Sequence, residues 1–148
     1  SKSEIDINSA MNDGSTALFI ASHFGHVEVV RLLLSISDID INKAEKDGAT
    51  ALFVASQFGH VEVVHLLLSK SDIDINKSLH DGQSPIFAAA ESGHMNIVQL
   101  LLAAGSDTSQ RVANPSTLDP SCSGLIAMDI AQRNGHTEIV KLLLEHNN

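Results

Sequence analysis

The chain has 148 residues, a formal net charge of −9 and a hydrophobic fraction of 43%, with no tryptophan or tyrosine. An acidic surface repels phosphate backbones, which argues against nucleic acid as a partner, while it suits a basic patch on a protein partner. No apolar run approaches the ~20 residues that a membrane span needs, no signal peptide pattern opens the chain, and Cys122 stands alone, so no intrachain disulfide forms. These features predict a soluble, cytoplasmic chain in a reducing compartment, without direct membrane insertion.

One unit is written four times. Asp-Gly falls at Asp13-Gly14, Asp47-Gly48 and Asp81-Gly82, a period of 34 (48 − 14 and 82 − 48). Gly-His follows at 25–26, 59–60, 93–94 and 135–136, and Leu-Leu-Leu at 32–34, 66–68, 100–102 and 142–144. A fixed period of this length predicts a solenoid whose units stack on their neighbours. Residues 1–10 carry Ile5-Asp6-Ile7-Asn8, the same ending as Ile39–Asn42 and Ile73–Asn76. They are therefore expected to be the tail of a preceding unit, followed by units at 11–44, 45–78, 79–112 and 113–148 in one domain. Lys141–His146 ends on an apolar face without the polar cap that solenoid ends need. Both ends lead us to expect a segment of a longer protein.

Within the second unit, Asp47-Gly48 permits a tight turn. A short apolar helix follows over 50–56, with Thr50 able to cap its start. Ala51 and Ala55 lie on one face, where small side chains let a neighbouring helix approach. Gly59 suits the left-handed position that ends a helix. A second helix over 61–69 presents Val61, Val64, Leu67 and Leu68 as its buried stripe. Residues 69–77 are polar and β-branched, which suggests an extended connector.

Two antiparallel helices and a turn carrying T-P-L-H-x-A define the ankyrin repeat. The chain resembles that family through Thr16–Ala21, Thr50–Ala55 and Ser84–Ala89, each followed by its Gly-His and Leu-Leu-Leu. The resemblance implies an all-α solenoid with hairpin-like connectors. It departs from the signature where histidine is replaced by Phe19, Phe53, Phe87 and Asp129, so the family's Thr–His hydrogen bond cannot form there. Between Leu102 and Gly124 the chain is eight residues longer than one unit earlier (22 against 14). This predicts an enlarged loop over 107–123, carrying Pro115 and Pro120, which is either a specificity element or a disordered insertion, its composition favouring disorder.

No catalytic residue, cofactor or metal is assigned. His26, His60, His94 and His136 occupy one position in successive units, and packed helices lie ~8–10 Å apart, too far to close around one zinc ion. Each imidazole is expected instead to start a helix and bond backbone groups at the turn. Neither a G-x-S-x-G elbow nor a phosphate-binding glycine loop is present.

Residues 12–42 and 46–76 differ at six places: Asn12/Lys46, Ser15/Ala49, Ile20/Val54, His23/Gln57, Arg31/His65 and Ile36/Lys70. All but Ile20/Val54 are expected at the surface, that pair in the core. The resemblance implies protein or peptide binding on a concave face of turn tips and first helices. By position this is Met11, Asn12, Ser15, His23 and Phe24; then Lys46, Ala49, Gln57 and Phe58; then Leu79, His80, Gln83, Glu91 and Ser92; and last Arg133 and Asn134. Phe24 and Phe58 are the expected anchors, since aromatic side chains dominate interface energetics; the competing expectation lays each ring flat on the next unit. Leu34–Asn42 and Leu68–Asn76 resemble the segment in which ankyrin asparagines are hydroxylated, which makes Asn42 and Asn76 candidates; the competing role is structural. The expected function is a non-enzymatic, monomeric interaction scaffold. The alternative is a regulatory or targeting arm of a larger enzyme, channel or secreted bacterial effector.

Overall fold

The computed structural model describes residues 6–113 and 124–147. Among them are eight helices: α1 Ala17–His23, α2 Val27–Leu34, α3 Ala51–Phe58, α4 Val61–Leu68, α5 Pro85–Ser92, α6 Met95–Ala103, α7 Ala127–Arg133 and α8 Thr137–His146. Each is shorter than the ~12–15 residues at which an isolated helix begins to persist in water, so burial against neighbours must hold it. Helices α1, α3, α5 and α7 pack in one inner row, and α2, α4, α6 and α8 in an outer row. Each inner helix also packs on the outer helix that follows it. The inner row closes over Ala21, Ala55, Ala89 and Ala131, all buried at equivalent positions.

Local chemistry starts each inner helix. The hydroxyls of Thr16, Thr50 and Ser84 accept from the N–H groups of Phe19, Phe53 and Phe87 at 3.1, 3.1 and 3.3 Å. In the fourth unit Ile126 has no hydroxyl, and the Asp129 carboxylate accepts from the Ile126 N–H at 2.9 Å instead. The acid that replaces phenylalanine there thus supplies the cap bond from the other side.

The Gly-His pair works between units as well as within one. Gly59 has φ +80° and Gly93 has φ +81°, and the N–H groups of His60 and His94 return to the Ala55 and Ala89 carbonyls. The imidazole of each later unit crosses this turn. His60 Nε2 meets the His23 carbonyl at 2.9 Å, His94 Nε2 that of Gln57 at 3.1 Å, and His136 Nε2 that of Glu91 at 3.0 Å. A Cβ on Gly25, Gly59 or Gly93 would lie 2.5, 2.7 or 2.7 Å from the crossing ring. Glycine therefore both ends the helix and leaves room for the next unit's histidine.

Two sequence expectations change. Residues 69–77 form turns rather than an extended run, with Ile73 N–H bonded to the Lys70 carbonyl and Asn76 N–H to the Asp74 carboxylate. In α4 the buried positions include Val63, whereas Val61 is exposed. Helix α4 is flanked by both α2 and α6 and backed by α3, and its buried stripe is turned to Val63, Val64 and Leu67, with Leu68 half-buried. The longer loop is also better placed. Val112 N–H bonds the Leu125 carbonyl and Gly124 N–H bonds the Val112 carbonyl, repeating the hairpin that Glu45, Gly48 and Ala49 make. Val112, Gly124 and Leu125 therefore stand where the second unit has Glu45, Gly48 and Ala49. Pro115, Pro120 and Cys122 lie outside the described residues.

Gly59→Ala should cost more stability than Gly135→Ala in urea unfolding. Both strain a left-handed residue by ~1–2 kcal/mol, but Gly135 has no other atom within 4 Å of such a Cβ among the described residues. Equal losses would remove the crossing imidazole as the reason for Gly59. Ser56 offers a second test. Its hydroxyl is fully buried without a hydrogen-bond partner among the described residues, and the third unit has Ala90 there. Unsatisfied burial costs ~1–3 kcal/mol, so Ser56→Ala should leave the melting temperature unchanged or raise it; a clear fall would contradict this.

Candidate functional site

The turn tips stack beside the inner helix row. Each tip is a small hairpin: Met11 and Ser15, Glu45 and Ala49, and Leu79 and Gln83 each share a backbone bond across it. Neighbouring tips are joined by Lys46 N–H to the Asp13 carbonyl, His80 N–H to that of Asp47, and Ala113 N–H to that of Asp81. A Cβ on Gly48 would sit 3.0 Å from the His80 nitrogen, and one on Gly82 2.7 Å from the Arg111 carbonyl oxygen. The close approach of the hairpins requires glycine at both.

Between tips and inner helices lies a groove of about 470 Å³. Its floor is a small apolar cluster, separate from the main core, of Ala49, Phe53, Val54 and Ala88 with Phe19 and Leu79 packed against it. Phe19 and Phe53, at the signature-histidine position, help build that floor, whereas Phe87 at the third such position belongs to the main core. His23, Gln57, Phe58 and His80 complete the sides, with the carboxylates of Glu45, Asp47 and Asp81. His80 is fixed by its Nε2 contact to the Lys46 carbonyl at 2.9 Å. At one end the His23 ring sits 4.6 Å from Phe24, edge-on, and 4.7 Å from Phe58. Phe24 remains 62% and Phe58 50% exposed. Phe58 thus reaches back to His23 of the preceding unit.

Of the residues singled out in the sequence, the groove brings together His23, Ala49, Gln57, Phe58, Leu79 and His80, and His23 links Phe24 to it. Met11, Asn12 and Lys46 are exposed on the tips, and Gln83 is half-buried beside Asp81. Glu91, Ser92, Arg133 and Asn134 lie further along the stack, where Asn134 donates to the Glu91 carbonyl at 3.0 Å. Ser15 and Ala49 were expected at the surface but are each only 6% exposed, because the hairpin folds them onto the inner row. Ile20, expected in the core, is 36% exposed against 4% for Val54. Helix α1 packs against α3 on one side only, whereas α3 has an inner neighbour on each. Phe19, Glu45, Asp47, Phe53, Val54 and Asp81 also line the groove; the one signal for them was the phenylalanine replacing histidine.

Asn42 and Asn76 are half-buried and tie connectors together. Asn42 accepts from the Asp74 N–H and donates to the Asp72 carbonyl, each at 2.8 Å, and Asn76 accepts from the Asp107 N–H at 2.9 Å. Asn8 does the same one unit earlier, to Asp40 and Asp38. Among the described residues no three His, Cys, Asp or Glu side chains converge as metal ligands would, and no helix is long and apolar enough to cross a membrane.

The geometry defines a stacked helix–turn–helix repeat protein with a lined groove along its tips. The family model described as ankyrin repeats in three copies matches residues 1–78 and again 74–148, and the chain belongs to the ankyrin-repeat family. Repeats of this family generally act as protein–protein interaction modules and are generally non-catalytic. No curated protein matches the chain closely enough to count as a relative.

The tips carry a pH signature. The Asp13 carboxylate accepts from the Ser15 N–H at 2.9 Å. That backbone bond, then the Ser15 hydroxyl, holds its pKa below the ordinary value of 3.8; the Ser109 hydroxyl and then its N–H do the same for Asp107. A carboxylate lowered on folding contributes stability that is complete above its unfolded pKa and lost as pH falls through the folded one. Acid unfolding should therefore show a small dependence below about pH 4 that Asp13→Asn weakens; an unchanged acid limb would contradict this.

Proposed function

We propose that the chain is a non-enzymatic binding module, acting as a monomer, that holds a protein or peptide along the face of turn tips and inner helices. On this reading the groove is the centre of the site and the His23–Phe24–Phe58 cluster is its anchor. The observation that carries it is the half-exposed aromatic pair on a rigid stack: bonded tips and short buried helices leave little ordering to be done on binding, which favours affinity. The exposed tip residues Met11, Asn12 and Lys46 would extend the contact on one side. Ser92, Arg133 and Asn134 would extend it on the other. Ser15 and Ala49 would shape the surface from beneath.

Affinity capture with the whole chain as bait, compared with Phe24→Ala and Phe58→Ala, tests this. Each substitution should reduce the captured partner's affinity by about tenfold or more, measured by calorimetry. The half-exposed rings should cost only about 1 kcal/mol of stability. Equal affinity with the fold intact would take Phe58 out of the site. Hydroxylation of Asn42 or Asn76 is proposed separately. It would need the connector to open, since both side-chain amides are engaged, and one added oxygen on either residue in native material is its readout.

A further inference from the structure

The second tip departs from its neighbours in a way that changes the groove. In the first and third tips the aspartate of Asp-Gly folds back on the N–H two residues later, Asp13 on Ser15 at 2.9 Å and Asp81 on Gln83 at 3.0 Å. In the second tip Glu45 takes over this work. One carboxylate oxygen accepts from the Asp47 N–H at 2.7 Å and from the Ala49 N–H at 3.2 Å. Asp47 is thereby relieved of the turn, and it stands exposed at the groove.

We propose that the groove receives an arginine or lysine side chain of the bound polypeptide, its apolar stem on the phenylalanines and its charge at Asp47. The inference rests on the reading that a polypeptide docks on this face. Three acidic residues line the groove, Glu45, Asp47 and Asp81, of which Asp81 is buried and bonded to Gln83, and no lysine or arginine lines it among the described residues. Lys46, the nearest in sequence, is exposed on the tip and does not line the groove. Beneath the carboxylates the surface is apolar and aromatic, with Phe58 half-exposed and Phe19 partly so. Only a side chain with a long hydrocarbon stem and a cationic head matches both layers, and a cation over a phenyl face gains further attraction. An aliphatic side chain would desolvate carboxylates without compensation, and an acidic one would be repelled.

Peptides selected for binding from a random twelve-residue library displayed on phage test this with the whole chain as target. The expected result is enrichment of arginine or lysine. In the best synthetic peptide, replacing that residue by norleucine, which keeps the stem and removes the charge, should lose about tenfold in affinity. Asp47→Asn leaves the tip's backbone bonds in place, so it should weaken the parent peptide at least fivefold and leave the norleucine peptide unchanged. Raised salt should weaken only the parent. Selected peptides without a cation, or a norleucine peptide of equal affinity, would overturn the proposal while leaving a polypeptide docking face. If no peptide is enriched, or if binding is insensitive to Phe58→Ala and perturbs no groove residue in NMR spectra, the docking reading falls with it.

Discussion

The imidazole that crosses from one unit to the closing carbonyls of the inner helix in the unit before it is the contact on which the stack depends. Its reach needs three things at once: glycine where the ring passes, a helix ending there, and histidine at the start of the next outer helix. The sequence repeats all three every 34 residues through the first three units, and the structure turns them into bonds from His60, His94 and His136. Because the helices are too short to persist alone, each unit borrows its order from a neighbour. Stability in such an array is approximately a sum over units and the interfaces between them.

On that frame the groove arises from departures rather than from the shared pattern. Phenylalanine at the signature-histidine position gives up a polar bond in the turn and gathers a second apolar cluster under the tips. Glutamate ahead of the second Asp-Gly takes over a turn bond that aspartate makes in the units on either side. The later units depart differently: Phe87 of the third joins the main core, and Asp129 of the fourth caps its own helix. Surface character is thus concentrated over the first three units, where the frame is most regular.

Much of the architecture was legible in the chain because its signals are local. Thr50 caps three residues on, Gly59 takes positive φ, and Leu67 falls on a helical period; each depends only on nearby residues. Exposure depends on what lies alongside, and there local reading failed. Ile20 and Val54 share a motif position, yet α3 has an inner-row neighbour on both sides and α1 on one. Ser15 and Ala49 looked like loop residues until the hairpin folded them inward. The connectors read as extended from their β-branched residues, whereas their aspartates and asparagines bond local backbone and close turns. The groove acids were invisible for a similar reason: Asp47 matters because Glu45, two residues earlier, took its partner.

Neighbouring units are tied at three separated stations: backbone at the tip, imidazole at the helix turn, and asparagine in the connector. Three attachments of fixed length spread across one interface act as a ruler. They set the pitch and torsion of the coil by bond geometry, while the apolar interior sets how strongly it coheres. Changing the volume of a core side chain should therefore soften the array before it bends it, so the curvature offered to a partner is preserved as the interior drifts.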